Sequence, residues 1–240
     1  MRIAILSDIH ANLVALDAVL AAIGSVDAVW QLGDIVGYGP EPDAVVDRLR
    51  AVKASGVRGN HDAAAIGQLE TELFNHDARR AIEWTGSIIS KATRDWLTAL
   101  PERRTEDDLT LVHGSPRDPI WEYVTTAPVA RLNLEVLKTP YGLHGHTHLP
   151  SVFRDEDGFI EVLSPSHGSV LALDGRRLLA NPGSVGQPRD GDPRASAIVM
   201  DAELLTLTWH RVAYDIAATQ AAMRRLKLPD RLVDRLDYGL

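Results

Sequence analysis

The first sixty residues alternate short apolar runs with amphipathic segments, and this alternation constrains the fold more than any other feature. Residues 2–6 (RIAIL) form a continuous apolar run typical of a strand buried on both faces, and residues 28–32 and 56–60 predict two further strands. The intervening segments 12–23, which starts with a capping asparagine, and 43–52 predict helices. This order requires crossover connections, so we expect a largely parallel sheet.

The second half of the chain has a different pattern. Two Asp-Gly pairs, Asp157-Gly158 and Asp174-Gly175, lie between extended segments and predict hairpins. Other predicted elements are a helical region over 62–100, a solvated loop over 102–108, a strand over 109–114, a hairpin over 196–212 and a helix over 216–226. We therefore expect an α/β fold in which two mixed β-sheets pack face to face as a sandwich flanked by helices. One domain over residues 1–240 is favoured, and a boundary near residue 150 is the weaker alternative.

Composition excludes several classes of protein. The 240 residues are 45% hydrophobic, enough for a sizeable core, and the absence of cysteine excludes disulfides, thiolate metal ligands and a cysteine nucleophile. No apolar run is long enough for a membrane span and the first residues do not resemble a signal peptide, so we expect a cytoplasmic protein. The net charge of −8 disfavours binding to nucleic acid or anionic membranes. Assembly of identical chains is left open.

Histidines are concentrated in the stretch LHGHTHLP, residues 143–150. Three of the nine histidines of the chain, His144, His146 and His148, fall within five positions. Imidazole is the commonest side-chain ligand for transition metals and is difficult to bury without a partner. The stretch therefore indicates a metal site, whose remaining ligands must come from elsewhere in the chain.

Suitable donors follow the predicted strands. At the ends of five strands the chain has Asp8, His10, Asp34, Asn60, His113, His146 and His148. In α/β sheets ligands bind beyond the carboxyl ends of the strands, so these groups are expected to meet at one edge. Oxygen and nitrogen donors without sulfur suit Mn, Fe, Zn or Ni at a hydrolytic site. Seven donors exceed the need of one tetrahedral ion, and a bridging carboxylate would allow two divalent ions.

Five ordered blocks resemble the signature of the calcineurin-like metallophosphoesterases. The blocks are DIH (8–10), GDIVGYG (33–39), GNHD (59–62), HG (113–114) and GHTH (145–148). Three further segments, HGSPRD (113–118), NPGSVGQPRD (181–190) and YDI (214–216), are similar to the small bacterial, phosphodiesterase-like members. The resemblance extends from Asp8 to about Tyr214, nearly the whole chain.

The resemblance implies a role for each matching residue. One ion is implied at Asp8, His10 and His148, and the other at Asn60, His113 and His146, with Asp34 bridging the two. Asn60 would also help to stabilise the charge that develops on the substrate. His61 is implied as the catalytic residue that protonates the leaving-group oxygen, a task that imidazole performs near pH 7.

The chain departs from the Ser/Thr protein phosphatases of the same superfamily. Those enzymes have GDxVDRG, where an Asp orients the catalytic His and an Arg binds phosphate; here Gly37 and Tyr38 stand at these positions. Protein phosphatase activity is therefore less favoured, and the group that orients His61 is left open. Arg117 and Arg189 are candidate substrate-binding residues because guanidinium groups match phosphate oxygens, although surface or ion-paired arginines are commoner.

The remaining histidines receive structural interpretations. His144 fills no position in the five blocks and is predicted to pack beside the site. His76, His167 and His210 are likewise predicted to be structural, with His76 the nearest alternative site residue.

These observations predict a dinuclear metal-dependent phosphoesterase in which a metal-bridging hydroxide attacks a small phosphoester substrate. Phosphodiester hydrolysis is favoured, with phosphomonoester or phosphoprotein hydrolysis as the alternative. A scaffold that has lost catalysis is disfavoured because all seven donors and His61 are present. A nuclease is disfavoured by the acidic charge. Substrate choice is expected to depend on the loops around residues 62–100 and 115–130.

Overall fold

The computed structural model describes all 240 residues and contains two six-stranded sheets. The strands are β1 Arg2–Leu6, β2 Ala28–Gln31, β3 Ser55–Gly56, β4 Arg103–Glu106, β5 Leu109–Val112, β6 Tyr141–Leu143, β7 Pro150–Glu156, β8 Phe159–Leu163, β9 Val170–Ala172, β10 Leu178–Pro182, β11 Ala195–Asp201 and β12 Thr206–Val212. The first sheet has the order β3-β2-β1-β11-β12-β9 and the second the order β4-β5-β6-β10-β7-β8. Each sheet thus combines strands from both halves of the chain.

Eight α-helices accompany the sheets. They are α1 Leu13–Ile23, α2 Pro42–Ala51, α3 Asn60–Ala65, α4 His76–Ile88, α5 Lys91–Ala99, α6 Ala127–Val136, α7 Ile216–Arg225 and α8 Asp230–Asp234, with short 3-10 turns at Thr71–Leu73 and Arg235–Asp237. None of these helices has the length and apolar character needed to cross a bilayer.

Strand β1 is buried on both faces, as its continuous apolar run predicts. Ile3 and Ile5 point into the core between the sheets, whereas Ala4 and Leu6 pack under the helices on the outer face. The pairing of β1 with β2 and of β2 with β3 is parallel, and β11 closes the other side of β1 in antiparallel orientation. This central position explains why β1 has no polar residue facing solvent after Arg2.

The core between the sheets joins the two layers. Ile5 and Trp209 of the first sheet pack with Leu111 and Leu178 of the second, all of them buried. The Trp209 indole N–H also donates to the carbonyl oxygen of Asn181 in β10 at 3.0 Å, which satisfies the only polar atom of this large side chain. Two mixed sheets packed face to face and flanked by helices confirm the predicted fold class.

The capping residue of α1 also fastens a distant loop. The Asn12 side-chain oxygen accepts from the backbone N–H of Ala15 at 3.1 Å, as predicted for an N-cap. Its amide nitrogen donates to the carbonyl oxygen of Gly186 at 3.0 Å, and Thr219 in α7 donates to its oxygen at the same distance. One buried side chain therefore holds together α1, α7 and the loop after β10.

The predicted loop over 102–108 is wrong in part, because residues 103–106 form β4. This strand pairs with β5 in antiparallel register, and the turn between them has Asp107 in the left-handed region at φ 47°. Only one neighbour pairs with β4, so its charged side chains remain accessible, as is typical of an edge strand. Charge alone therefore did not distinguish an exposed strand from a loop.

The two Asp-Gly pairs have different outcomes. Asp157-Gly158 joins β7 to β8 in a hairpin, as predicted. Asp174-Gly175 does not join a hairpin, because β9 belongs to the first sheet and β10 to the second. The hairpin predicted over 196–212 is confirmed as β11 and β12. A local turn signal specifies a reversal of the chain, but the partner of each strand is selected by the packing of the sheets.

Replacement of Trp209 by alanine is expected to destabilise the protein by about 3–5 kcal/mol, because it leaves a cavity and an unpaired Asn181 carbonyl. Urea unfolding followed by circular dichroism measures the change. Phe159→Ala is the matched control, since Phe159 is 70% exposed whereas Trp209 is 1% exposed. Its effect should stay within about 0.5 kcal/mol, and equal losses for both variants would contradict the assignment of Trp209 to the core.

Candidate metal centre

Two buried clusters of potential metal donors share one carboxylate. The donor atoms of the first cluster, Asp8, His10, Asp34 and His148, lie within 4.8 Å of one another, as do those of the second, Asp34, His113 and His146. These residues follow β1, β2, β5 and β6, so strands of both sheets deliver them to one edge of the sandwich. Asp34 belongs to both clusters and stands between them.

The first cluster is tight. The Nε2 atoms of His10 and His148 are 3.1 Å apart, and the His148 Nε2 is 3.3 Å from Asp8 Oδ1. Asp34 Oδ2 lies 3.7 Å from the His10 Nε2 atom. These atoms surround one point that a single cation can occupy.

The second cluster is equally tight and includes the amide predicted to join it. His113 Nε2 is 3.0 Å from His146 Nδ1, 3.0 Å from Asn60 Oδ1 and 3.4 Å from Asp34 Oδ2. The structure thus brings together all seven predicted donors and divides them in the way the resemblance implies. Their roles as ligands remain predictions.

Backbone carbonyls orient three of the imidazole rings. The Nδ1 atoms of His10, His113 and His148 lie 3.2, 2.9 and 2.6 Å from the carbonyl oxygens of Val36, Leu32 and Gln187, respectively. A carbonyl oxygen requires a proton on Nδ1, so in the neutral ring each Nε2 presents a lone pair to the centre. This arrangement around a metal-ligating histidine is common in metalloproteins.

Some donor atoms of the site lack a suitable partner within the protein, and a cation would provide one. Two Nε2 lone pairs face each other across 3.1 Å between His10 and His148. Asp8 Oδ1 is buried without a hydrogen-bond partner. Buried polar groups normally have partners, and a divalent ion would satisfy each of these oxygen and nitrogen atoms.

The electrostatics of the site also favour a bound cation. Burial raises the pKa of Asp8 to about 7 and holds the pKa values of His10 and His148 well below their ordinary value, so these imidazoles are neutral at pH 7. Burial alone would lower the pKa of His113, but the Asp34 carboxylate outweighs the effect of burial and raises this pKa to about 9. The second cluster therefore attracts positive charge, which a proton or a metal ion can supply.

Several donors have a strained backbone. Four donor residues, Asp8, Asp34, His146 and His148, have φ angles of 52°, 52°, 65° and 60°. These values lie in the left-handed region, which residues other than glycine seldom occupy. Such strain concentrates at functional sites, where the surrounding structure imposes it. A close approach accompanies it: a Cβ atom on Gly59 would collide with Asp34 Oδ1, so only glycine permits this contact.

Asp62 holds two of the donor loops together. Its carboxylate accepts from the backbone N–H groups of Ile35, Val36 and Gly59 at 2.8, 3.0 and 2.9 Å. Asp34 and Asn60 adjoin these positions, so Asp62 sets their separation without contacting either cluster as a donor. Asp62 belongs to the block GNHD, but no pattern in the sequence predicted this role for it.

His61 is enclosed by rings rather than oriented by an acid. Its ring centroid is 4.3 Å from that of Tyr38 and 5.1 Å from that of Phe74, and its backbone N–H donates to Asp34 Oδ1 at 2.9 Å. Gly37 has φ 86°, and a Cβ atom there would come within 2.5 Å of His61 Nδ1. Burial lowers the pKa of His61 to about 4. Packing and the backbone therefore position the imidazole where the related phosphatases use a carboxylate.

A cavity of about 320 Å³ opens onto both clusters. Its lining includes Asp34, Asn60, His61, His146, His148, Tyr38, Phe74, Trp121, Tyr123 and Arg189. Arg189 thus borders the cavity, as a substrate-binding residue must. Arg117 does not line this cavity. It forms an ion pair with Glu122, and such pairing is the commoner situation for a surface arginine.

The remaining histidines lie outside both clusters. His144 is buried, with its Nδ1 atom 3.4 Å from the Asn181 amide nitrogen, and His76 is exposed. Aromatic residues of the cavity were not singled out by sequence: Tyr123 stacks on His146 with ring centroids 3.9 Å apart, and Trp121 contacts Phe74 at 5.0 Å. They belong to the two loop regions expected to govern substrate choice, but no periodic pattern distinguishes them.

An α/β sandwich with buried oxygen and nitrogen donors at the carboxyl ends of its strands defines a metal-dependent hydrolase. Residues 1–203 match the calcineurin-like phosphoesterase superfamily domain. The chain therefore belongs to the calcineurin-like phosphoesterase superfamily, and it is a metal-dependent phosphoric ester hydrolase.

Similar proteins cover most or all of the chain. A metallophosphoesterase from Sphaerobacter thermophilus has a crystal structure that superposes with a TM-score of 0.92 at 46% identity, over 100% of this chain and 99% of that one. An uncharacterized protein of Methanocaldococcus jannaschii is 35% identical over 99% of this chain and 98% of its own length. The phosphodiesterase YfcE of Escherichia coli is 27% identical over 86% of this chain and 91% of its own length.

Replacement of Asp62 by asparagine is expected to weaken metal binding about 10- to 100-fold, because the loops of Asp34 and Asn60 lose a shared anchor. Competition with a fluorescent chelator for Mn²⁺ or Zn²⁺ measures the affinity. Asp47→Asn removes the same charge from an exposed position on α2 and should leave the affinity unchanged. Equal affinity of the Asp62 variant and the wild-type protein would refute the anchoring role.

Proposed function

We propose that the protein is a dinuclear, metal-dependent phosphodiesterase that hydrolyses small phosphoesters in the cytoplasm. The observation that carries the proposal is the position of Asp34 between two donor clusters. A carboxylate shared in this way suits a pair of divalent ions, and we propose manganese, iron, zinc or nickel. The bound ions would supply Lewis acidity and an activated water near neutral pH.

The cavity residues supply binding and orientation. Arg189 lines the cavity and forms no ion pair with a carboxylate, so its guanidinium group is suited to hold a phosphoryl oxygen. The aromatic rings of Tyr38, Phe74 and Tyr123 enclose the same space and exclude water from the reacting group. Asn60 and His61 stand side by side at the start of α3, so one short segment serves both the metal centre and the leaving group.

His61 is the candidate proton donor to the leaving-group oxygen. Burial keeps its pKa low in the free protein, so the ring is neutral at pH 7. An anionic phosphoryl group that binds beside the ring stabilises the imidazolium and raises this pKa. The proton is then available when the ester bond breaks, which matters most for leaving groups that are poor as alkoxides.

A diester substrate is favoured over a monoester on two grounds. The aromatic lining of the 320 Å³ cavity suits the second ester group of a diester, which a monoester lacks. The relative YfcE is named a phosphodiesterase, and its similarity spans 86% of this chain. Hydrolysis of monoesters, including phosphoproteins, is the alternative, and a scaffold without activity is the least supported.

Metal-loaded protein is expected to hydrolyse bis(p-nitrophenyl) phosphate about tenfold or more efficiently than p-nitrophenyl phosphate, because the aromatic rings of the cavity can pack on the second ester group. Release of p-nitrophenolate with Mn²⁺ measures kcat/KM for both. A preference for the monoester would contradict the diesterase proposal and favour the alternative.

Two variants connect this activity to the shared carboxylate. Asp34→Asn should abolish activity and weaken both metal sites, whereas His146→Asn should weaken one site and leave about one ion bound per chain. Elemental analysis after gel filtration counts the ions. Activity that survives Asp34→Asn would exclude the dinuclear centre, and metal binding without any ester hydrolysis would favour a scaffold.

His61→Asn is expected to reduce kcat about 10²- to 10⁴-fold on an alkyl ester, because the alkoxide then leaves without a proton. The loss on a p-nitrophenyl ester should be smaller, since p-nitrophenolate is stable unprotonated. Parallel kinetics on methyl p-nitrophenyl phosphate and on a dialkyl phosphate distinguish the two cases. His76→Asn, at an exposed histidine, is the matched control, and equal losses on both esters would argue against a role as proton donor.

A further inference from the structure

A second cavity of about 900 Å³ adjoins the metal centre and has no role in the chemistry described above. It shares Tyr38, Tyr123 and Arg189 with the smaller cavity, so the two spaces communicate along these residues. Its far wall comes from α8 and the segment that follows, through Arg231 and Arg235. A ligand at the metal centre can therefore extend towards a second group of cationic side chains.

Two of these cationic side chains lie next to each other, and neither forms an ion pair with an aspartate or a glutamate. Arg189 Nη2 and Arg235 Nη1 both donate to the Gln187 side-chain oxygen, at 3.0 and 3.2 Å. The other acceptor for Arg189 is the Tyr38 hydroxyl, and for Arg235 it is the backbone oxygen of Leu240, the last residue of the chain, whose terminal carboxylate carries one negative charge. Two guanidinium charges beside one neutral amide and one carboxylate retain a net positive charge, which suits an anion.

The acidic residues of the same cavity do not neutralise this pair. Asp234 forms an ion pair with Arg224 at 3.1 Å, and Asp77 contacts the neighbouring His76 ring at 3.3 Å. Arg231 is exposed on the same wall and adds positive charge. The local charge is therefore opposite in sign to the net charge of −8 of the whole chain.

Gln187 connects the two sites physically. Its backbone carbonyl oxygen accepts from His148 Nδ1 at 2.6 Å, while its side-chain oxygen accepts from both arginines. Burial lowers the pKa of Arg235 to about 10, which still leaves the guanidinium charged at neutral pH. The distance between metal centre and arginine pair is thus set by a single buried residue and varies little.

We propose that Arg235 binds a second phosphate group of the substrate, while Arg189 lies between it and the phosphoester that is hydrolysed. The substrate class is then a phosphodiester whose retained part carries an additional phosphate, as in a nucleoside bisphosphate ester. This inference rests on the proposed function, since it extends the same site to a larger substrate.

The test compares two chromogenic diesters that differ only in the second phosphate: the p-nitrophenyl ester of thymidine 5′-phosphate, with and without a 3′-phosphate. Wild-type protein with Mn²⁺ should hydrolyse the 3′-phosphorylated ester with about tenfold higher kcat/KM, the effect of one charge-assisted contact. Without a local cationic site the acidic chain would repel the extra charge and lower this ratio. A wild-type ratio of one or less overturns the inference.

Variants of Arg235 assign the preference to that side chain. Arg235→Gln should reduce the ratio to about one, and Arg235→Lys should retain part of it because the charge remains. Arg225→Gln removes an exposed charge at the end of α7 that does not line this cavity and should leave the ratio at its wild-type value. An unchanged ratio in Arg235→Gln refutes the assignment.

The two proposals fail in different ways. Hydrolysis of bis(p-nitrophenyl) phosphate without hydrolysis of either nucleotide ester overturns only the second phosphate site. Failure on every diester under all metal-loading conditions overturns the phosphodiesterase proposal, and the inference about Arg235 with it.

Discussion

The structure depends on the burial of one carboxylate, Asp34, between two groups of imidazole and oxygen donors. Burial opposes ionisation, yet the positive charge of His113 outweighs it and holds the pKa of Asp34 below its ordinary range. An isolated charge in this position would be costly, so its positive partner is part of the fold as well as of the site. Asp34 follows β2 in the first sheet and His113 follows β5 in the second, so this pairing ties the topology of both sheets to the chemistry.

The loops that carry the donors are held by a few buried polar side chains. Asp62 joins the loops after β2 and β3 through three backbone N–H groups, and Asn12 joins α1 to α7 and to the loop at Gly186. These contacts oppose the strain of donor residues in the left-handed region of φ. The metal centre is consequently rigid on the protein side before any ion binds, which is the condition for selective coordination and for precise orientation of a substrate.

The outer part of the site is aromatic on one side and cationic on the other. Tyr123 covers His146, Tyr38 and Phe74 enclose His61, and Arg189 borders the opening where the larger cavity begins. The proposed function therefore separates catalysis from recognition in space: the buried donors would form the reaction centre, and the loops and the last residues form the walls. This division is typical of sandwich folds in which strands position the chemistry and loops determine specificity.

Much of this protein was determined by its sequence alone: the strand–helix alternation of the first sixty residues, the donors at five strand ends and the capping role of Asn12 all follow from local patterns. Side chains that follow parallel strands of one sheet meet at its edge, but the packing of the two sheets brings His113, His146 and His148 against the donors of the first sheet. The tertiary structure alone decided that Asp174-Gly175 connects two sheets, that the charged residues 103–106 form an edge strand and that Arg189 faces the cavity while Arg117 pairs with Glu122. It also decided that Arg235, about 225 residues after Asp8 in the chain, lies beside Arg189. Such pairings depend on which surfaces pack together, and no local pattern of residues encodes that choice.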